Sequence, residues 1–177
     1  MGPVPGDSTP LPPAPGSSGA GLTALGGTTS YRYDHPDAAS LETFANPSPT
    51  GAWAVSLLCQ EFTTLCPVTG QPDYGRLRID YVPRSLCVES KSLKLYLIGY
   101  RNHGTFHEAC VNRVADDLYQ VLSPALIRVY GDFAPRGGIA IKPVALRAWP
   151  GSSPEDRRHH LELLEQALSL SASSHGA

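Results

Sequence analysis

Arg76-Leu77-Arg78-Ile79-Asp80-Tyr81 alternates strictly, placing Leu77, Ile79 and Tyr81 on one face and charged side chains on the other. A period of two is that of a β-strand with one face on a core. Upstream, residues 53–62 are rich in β-formers and predict a second strand. Between the two, residues 63–75 carry Pro67, Gly70, Pro72 and Gly75, which predict a loop. Downstream the period changes. Residues 91–101 predict a short helix, and residues 105–122 a longer one with Phe106, Cys110, Val114, Leu118, Val121 and Leu122 near one stripe. Residues 125–133 and 138–148 return to strand character, joined by Ala134-Pro135-Arg136-Gly137. The order β-β-α-α-β-β predicts an α+β fold, with a four-stranded antiparallel sheet and two helices on one face. Such a sheet leaves its other face and its edges uncovered, which predicts association into oligomers.

The flanks have a different character. Residues 1–30 are mostly Gly, Pro, Ser, Thr and Ala with Asp7 as the only charge, and they predict a disordered tail. Residues 31–50 contain Tyr31-Arg32-Tyr33-Asp34-His35-Pro36 and Leu41-Glu42-Thr43-Phe44, which read as an extended arm docking on a neighbouring surface. The arm and the compact part (about 52–149) together form one domain over residues 31–153. Residues 154–177 carry a final helix (154–170), with Ser152 or Ser153 as its cap and Glu155 and Asp156 in its first turn. Its narrow stripe of Leu161, Leu164 and Leu168 suits docking on a neighbour.

A chain of 177 residues has room for one domain with tails. Its formal net charge of −2 argues against a surface that coats nucleic acid. No apolar run approaches the roughly 20 residues that span a bilayer, and the first residues do not read as a secretory leader, so a cytoplasmic protein is expected. Four cysteines without a CxxC pair do not make a disulfide scaffold. Each is a small core residue or a reactive thiol, and its surroundings must decide which.

Chemistry concentrates in a few stretches. In Leu65-Cys66-Pro67-Val68-Thr69-Gly70-Gln71-Pro72-Asp73 a cysteine sits in a Pro/Gly-punctuated loop with a carboxyl group seven residues on. That arrangement can pair a nucleophile with a proton donor, or hold a buried plug and a turn residue. In Val88-Glu89-Ser90-Lys91-Ser92-Leu93-Lys94-Leu95-Tyr96 a strand gives way to a helix whose free N–H groups suit a polar or anionic ligand. Ser90 as an N-cap and Lys91 and Lys94 as a solvated face would look the same. In His103-Gly104-Thr105-Phe106-His107-Glu108-Ala109-Cys110, Glu108 could accept two N–H bonds from the edge of a guanine-like base. A zinc site of His103, His107, Cys110 and Cys87 competes with that reading. Arg136, at the tip of a tight turn, can bind phosphate or remain solvated. No GxGxxG motif and no Walker loop are present.

Glu61–Asp73, the Glu-Ser-Lys-Ser-Leu-Lys-Leu-Tyr run at residues 89–96, His107-Glu108 and residues 135–138 together closely resemble the NADPH-dependent 7-cyano-7-deazaguanine reductases of tRNA queuosine biosynthesis. The resemblance covers about residues 41–141 and is to the single-module form of that family. It implies a tunnelling fold (T-fold) that assembles into rings, a decamer of two facing pentamers, with active sites between subunits. It further implies reduction of a nitrile to an aminomethyl group by two NADPH per turnover, with no metal and no nucleic-acid or membrane partner. Cys66 is then the nucleophile that forms a thioimide and Asp73 its proton donor. Val88, Glu89, Ser90, His107 and Glu108 hold the base, and Lys91, Lys94 and Arg136 meet the phosphates of the cofactor. A zinc-dependent relative of the GTP cyclohydrolases and a non-catalytic purine-binding module are the rival readings.

Overall fold

The alternation at residues 76–81 belongs to a longer strand than the period alone marks. The computed structural model describes residues 22–24 and 29–173, with side chains as far as residue 166, so most of the expected tail (1–30) lies outside the described residues. A 3₁₀ turn (Ala38–Ser40) leads into strand β1 (Thr43–Ala45), followed by β2 (Val55–Leu65), β3 (Pro72–Val82) and β4 (Leu86–Val88). Helices α1 (Ser90–Ile98) and α2 (His107–Leu122) come next, then β5 (Leu126–Phe133), β6 (Val144–Ala148) and helix α3 (Pro154–Ser173). The main sheet has four strands in the order β2-β3-β5-β6, every pair antiparallel. The expected α+β architecture is therefore present, with a small second sheet of β1 and β4 that periodicity did not mark.

Two boundaries move. Residues 63–75 are not all loop: β2 runs to Leu65 and β3 starts at Pro72, leaving only residues 66–71 between them. Pro72 is tolerated because it is the first residue of its strand, where a missing N–H costs least. The last strand is shorter than residues 138–148, because Arg136 and Ile139 bridge across a tight turn and regular pairing resumes only at Val144.

One face of the sheet is the core. Leu77, Ile79 and Tyr81 of β3 and Ile127, Val129 and Phe133 of β5 point into it, as the alternation requires. Helix α2 covers that face with Cys110, Val111, Val114, Ala115, Leu118 and Leu122, all buried. The helix lies close because Gly131 stands beneath it: a Cβ there would come 2.8 Å from Val111 Cγ2 and 2.7 Å from Phe133 Cε2. Phe106, expected on the apolar stripe, instead precedes the helix as its N-cap residue and is exposed. The opposite face carries Asp80, whose carboxylate accepts from Ser56 Oγ at 2.6 Å, Arg78 Nε at 3.0 Å and Arg128 Nη2 at 3.1 Å. Leu58, Val144 and Leu146 are exposed on this face.

The arm and the last helix both dock on their own chain. β1 pairs with β4 from Thr43↔Val88 to Ala45↔Leu86, Leu41 enters the core, and Arg113 Nη2 donates to Pro36 O at 2.8 Å. The arm thus satisfies its backbone and buries its apolar side chain within the subunit. In α3, Ser153 Oγ accepts from Asp156 N at 3.1 Å and forms the cap. Leu164, fully buried, packs with Val82, Ala125 and Leu126, while the side chain of Leu168 lies outside those described.

Candidate active site

The pairing of β2 with β3 decides where Cys66 points. From Cys59↔Leu77 to Phe62↔Gly75, β2 advances three residues while β3 advances two, which is a β-bulge. Before the bulge Val55, Leu57 and Cys59 face the core; after it Phe62 and Thr64 do. The bulge shifts the inward set by one residue, so Cys66 follows Phe62 and Thr64 onto the core side. Thr64 pairs with Asp73, and paired side chains share a face, so Cys66 and Asp73 are diagonal neighbours. The loop itself is a hairpin closed by Cys66 N donating to Gln71 O at 2.8 Å and Gly70 N donating to Cys66 O at 2.9 Å.

A second contact brings in α2. Leu65 N donates to His103 O at 3.1 Å, Thr105 N donates to Leu65 O at 3.0 Å, and Thr64 Oγ1 donates to His103 O at 2.7 Å. This clamp places the start of α2 beside the end of β2. His107, the first residue of α2, stacks on Phe133 with ring centroids 4.0 Å apart. Its Nε2 lies 3.2 Å from Asp73 Oδ2, off the line a hydrogen bond needs, so this buried nitrogen has no hydrogen-bond partner. Asp73 is 4% exposed, and Arg136 Nε reaches its Oδ1 at 3.1 Å. Glu108 follows His107 on the exposed side of the helix end, and its carboxylate makes no hydrogen bond or ion pair among the described residues.

The four thiols divide by their surroundings. Burial pushes Cys110 up to about 12 and raises Cys59 and Cys87 as well. Cys66 goes the other way, down to about 6, because the Thr69 hydroxyl, the amides of Thr69 and Val68 and the Arg136 guanidinium all donate toward its sulfur. A group held in its charged form by hydrogen bonds and a nearby cation is a thiolate at neutral pH, and the thiolate is the nucleophile. Thr69 and Gln71 were not singled out in the sequence. The signal that could have found them is Gly70, whose φ of +67° marks a hairpin tip where the residues before it turn their N–H groups inward.

The Glu89–Tyr96 run lies elsewhere. Val88 is buried in the main core. Glu89, not Ser90, is the N-cap of α1: its carboxylate accepts from Lys91 N at 2.8 Å and Ser92 N at 2.7 Å. Ser90 and Lys94 line a groove of about 370 Å³ between α1 and β2, with Glu61, Thr63 and Arg101 on its polar side and Leu57, Phe62, Ile79 and Leu97 among its apolar residues. Neither Cys66, Asp73, His107, Glu108 nor Arg136 lines it. The structure therefore brings Cys66, Asp73, His107 and Arg136 together and sets Ser90 and Lys94 apart from them. His103, His107, Cys110 and Cys87 do not converge: among the described residues no group of three His, Cys, Asp or Glu side chains could hold a metal.

The profile of the family described as QueF-like protein matches residues 72–150. The NADPH-dependent 7-cyano-7-deazaguanine reductase of Helicobacter pylori (strain Shi470) is 54% identical over 122 residues, which is 69% of this chain and 83% of that protein. The protein of the same name from Bacteroides thetaiotaomicron is 48% identical over 139 residues, 78% of this chain and 91% of that one. Among solved structures, the archaeosine synthase QueF-Like in its apo form superposes with a TM-score of 0.52 at 19% identity, covering 59% of this chain and 100% of that chain. The last likeness is one of fold. The sequence identities, sustained over most of the relatives' length, show that the chain belongs to the NADPH-dependent 7-cyano-7-deazaguanine reductase family of oxidoreductases.

Proposed function

We propose that this chain reduces the nitrile of 7-cyano-7-deazaguanine to the aminomethyl group with two NADPH, through a thioimide on Cys66, as a step of tRNA queuosine biosynthesis. The observation that carries the reading is Cys66: alone of the four thiols it is drawn down to about 6, and the Arg136 that reaches its sulfur also pairs with Asp73, which His107 approaches. A nitrile carbon accepts a thiolate more readily than a hydride. The Cys66 sulfur adds to that carbon and a proton goes to the nitrogen, from the side of the hairpin where Asp73 sits. The resulting C=N accepts the first hydride from NADPH and a proton. Loss of the Cys66 thiol then leaves an imine, which takes the second hydride and proton to become the amine.

Glu108 presents a carboxylate that makes no hydrogen bond or ion pair among the described residues, suited to the N–H edge of the base, and His107 holds the reacting end. The family likeness gives Val88, Glu89 and Ser90 to the base as well, and in this subunit they lie at the start of α1, where Ser90 lines the groove. The groove at α1 suits the cofactor, with Lys91 and Lys94 toward its phosphates. Arg136 is the third cation the family likeness directs to those phosphates. The imine must be kept from water between hydrides. Val68, Tyr74, Phe106 and Ile139 are large apolar side chains exposed around the Cys66 hairpin and the Arg136 turn, which supports a site closed by a second subunit in a ring of the T-fold type.

The test is intact mass. Protein mixed with the cyano base and no NADPH should gain the mass of one ligand per occupied chain, and Cys66→Ala should gain none. An adduct that persists in Cys66→Ala, or NADPH oxidation that survives in it, would overturn the proposal.

A further inference from the structure

Arg136, one of the three expected phosphate contacts, is engaged at Asp73 and Gln71. Its Nε lies 3.1 Å from Asp73 Oδ1, its Nη1 3.5 Å from Asp73 Oδ2, and its Nη2 2.9 Å from Gln71 Oε1. The planar fork of a guanidinium matches a carboxylate with two parallel bonds, which a cofactor phosphate would have to displace. Gln71 is also the residue whose carbonyl holds Cys66 N, so the same cation braces both the carboxyl group and the hairpin that carries the thiol.

The arginine is delivered by a rigid device. Arg136 N and Ile139 O, and Ile139 N and Arg136 O, pair at 3.0 Å across Gly137 and Gly138. Those two residues have φ of +56° and +83°, a backbone that favours glycine at both positions. The strand end is tied to the neighbour of Asp73 as well, since Ala134 N donates to Tyr74 O at 2.8 Å. A tight two-glycine turn anchored beside its target holds its arginine in one place.

We infer that Arg136 is a positioning residue for the adduct-forming half of the site, holding Asp73 and the Cys66 hairpin in register before any cofactor binds. The inference rests on the proposed thioimide chemistry for its role in turnover. The charged and titratable groups facing the Asp73 carboxylate are Arg136 from the turn after β5 and His107 from α2, and Arg136 also reaches the sulfur of Cys66, the diagonal neighbour of Asp73 across the hairpin. Without Arg136, a buried carboxylate stands uncompensated beside the thiol and disfavours its thiolate form. The direct donation of Arg136 to the sulfur is lost with it.

The experiment omits NADPH. Wild type, Arg136→Ala and Arg136→Lys are mixed with the cyano base and adduct growth is followed by intact mass, with iodoacetamide alkylation of Cys66 against pH in parallel. Arg136→Ala should form adduct about tenfold more slowly or worse, as expected for a lost charge-assisted contact. Its alkylation midpoint should move to higher pH, and Arg136→Lys should recover part of the rate. In an Asp73→Asn background, removing Arg136 should shift the midpoint less, because the charge it compensates is gone. If Arg136→Ala forms adduct and alkylates as wild type does while its KM for NADPH rises, Arg136 is a phosphate contact and the inference is wrong. A midpoint shift undiminished by Asp73→Asn would overturn it too. If wild type itself forms no adduct, the thioimide reading has failed, and the alkylation arm still decides whether Arg136 positions Cys66.

Discussion

Replacing Thr69 with Val keeps the β-branched shape at the hairpin tip and removes only the hydroxyl. That hydroxyl is the largest of four influences that bring Cys66 from an ordinary thiol value of 9.0 down to about 6; the others are the amides of Thr69 and Val68 and the Arg136 guanidinium. With the shift divided among four donors and Thr69 first, its hydroxyl accounts for about one pH unit. The sign follows directly: the hydroxyl donates to the thiolate, so without it the thiolate is less stable and the titration moves up. At pH 6 the thiolate fraction should fall from about one half to about one tenth, a roughly fivefold slower reaction with iodoacetamide. By about pH 8.5 the two proteins should react alike, because both thiols are then ionised. The assay is the alkylation rate of Cys66, resolved by peptide mass, between about pH 5 and pH 9. Cys59, Cys87 and Cys110 are all shifted upward and will not compete at the acid end. Coincident profiles for the two proteins would show that the hydroxyl does not hold the thiolate, and would remove the main support for a reactive thiol in this hairpin.

Glu108→Gln exchanges one acceptor oxygen for an NH2 donor and should weaken binding of the cyano base, read by titration calorimetry, with the melting temperature unchanged. Unaltered affinity would take Glu108 out of the base site. Leu164→Ala should cost about 2–5 kcal/mol against denaturant if α3 is part of the domain, since it empties a fully buried position against Val82 and Leu126. A loss under about 0.5 kcal/mol would mean that α3 docks only loosely. Gly131→Ala should lower stability and slow adduct formation together, because the new Cβ meets Val111 and Phe133, the ring on which His107 stacks. Adduct formation at the wild-type rate in that variant would separate the Phe133 platform from catalysis.

Local pattern made much of the fold legible, and particular residues show where it stopped. Leu77, Ile79 and Tyr81 identify their strand because one period persists over six residues, and β5 and α2 follow for the same reason. Leu41 was read as part of an arm docking on a neighbouring surface, and Leu164 as part of a stripe for a neighbour. An apolar side chain states that it must be covered but not by what, and here its own domain covers each. Glu89 was read as a ligand group beside a Ser90 cap. The two residues are equally able to cap, and only the backbone trace, extended at Glu89 and helical from Ser90, separates them. In the candidate site, Cys66 and Asp73 were legible as a pair in one hairpin, and His107 joined them through the motif. Thr69 and Gln71 were not, because their part depends on where backbone N–H and C=O groups point. Arg136 was recognised as important, but its contact with Asp73 depends on a long-range pairing across β3 and β5 that no local pattern contains.

The extra residue between Cys59 and Phe62 gives β2 something like a reading frame. Every side chain downstream of it faces inward or outward according to whether the count up to that point is odd or even. Deleting Gln60 or Glu61 alone would remove the bulge and leave Phe62, Thr64 and Cys66 on the inward face, still in step with Asp73. Removing both would leave β2 one residue short against β3, and must either turn Cys66 to the opposite face of the sheet or slide it out of step with Asp73. Cys66 is aimed by arithmetic at a distance, and a gap of one residue in that short stretch is absorbed where a gap of two is not.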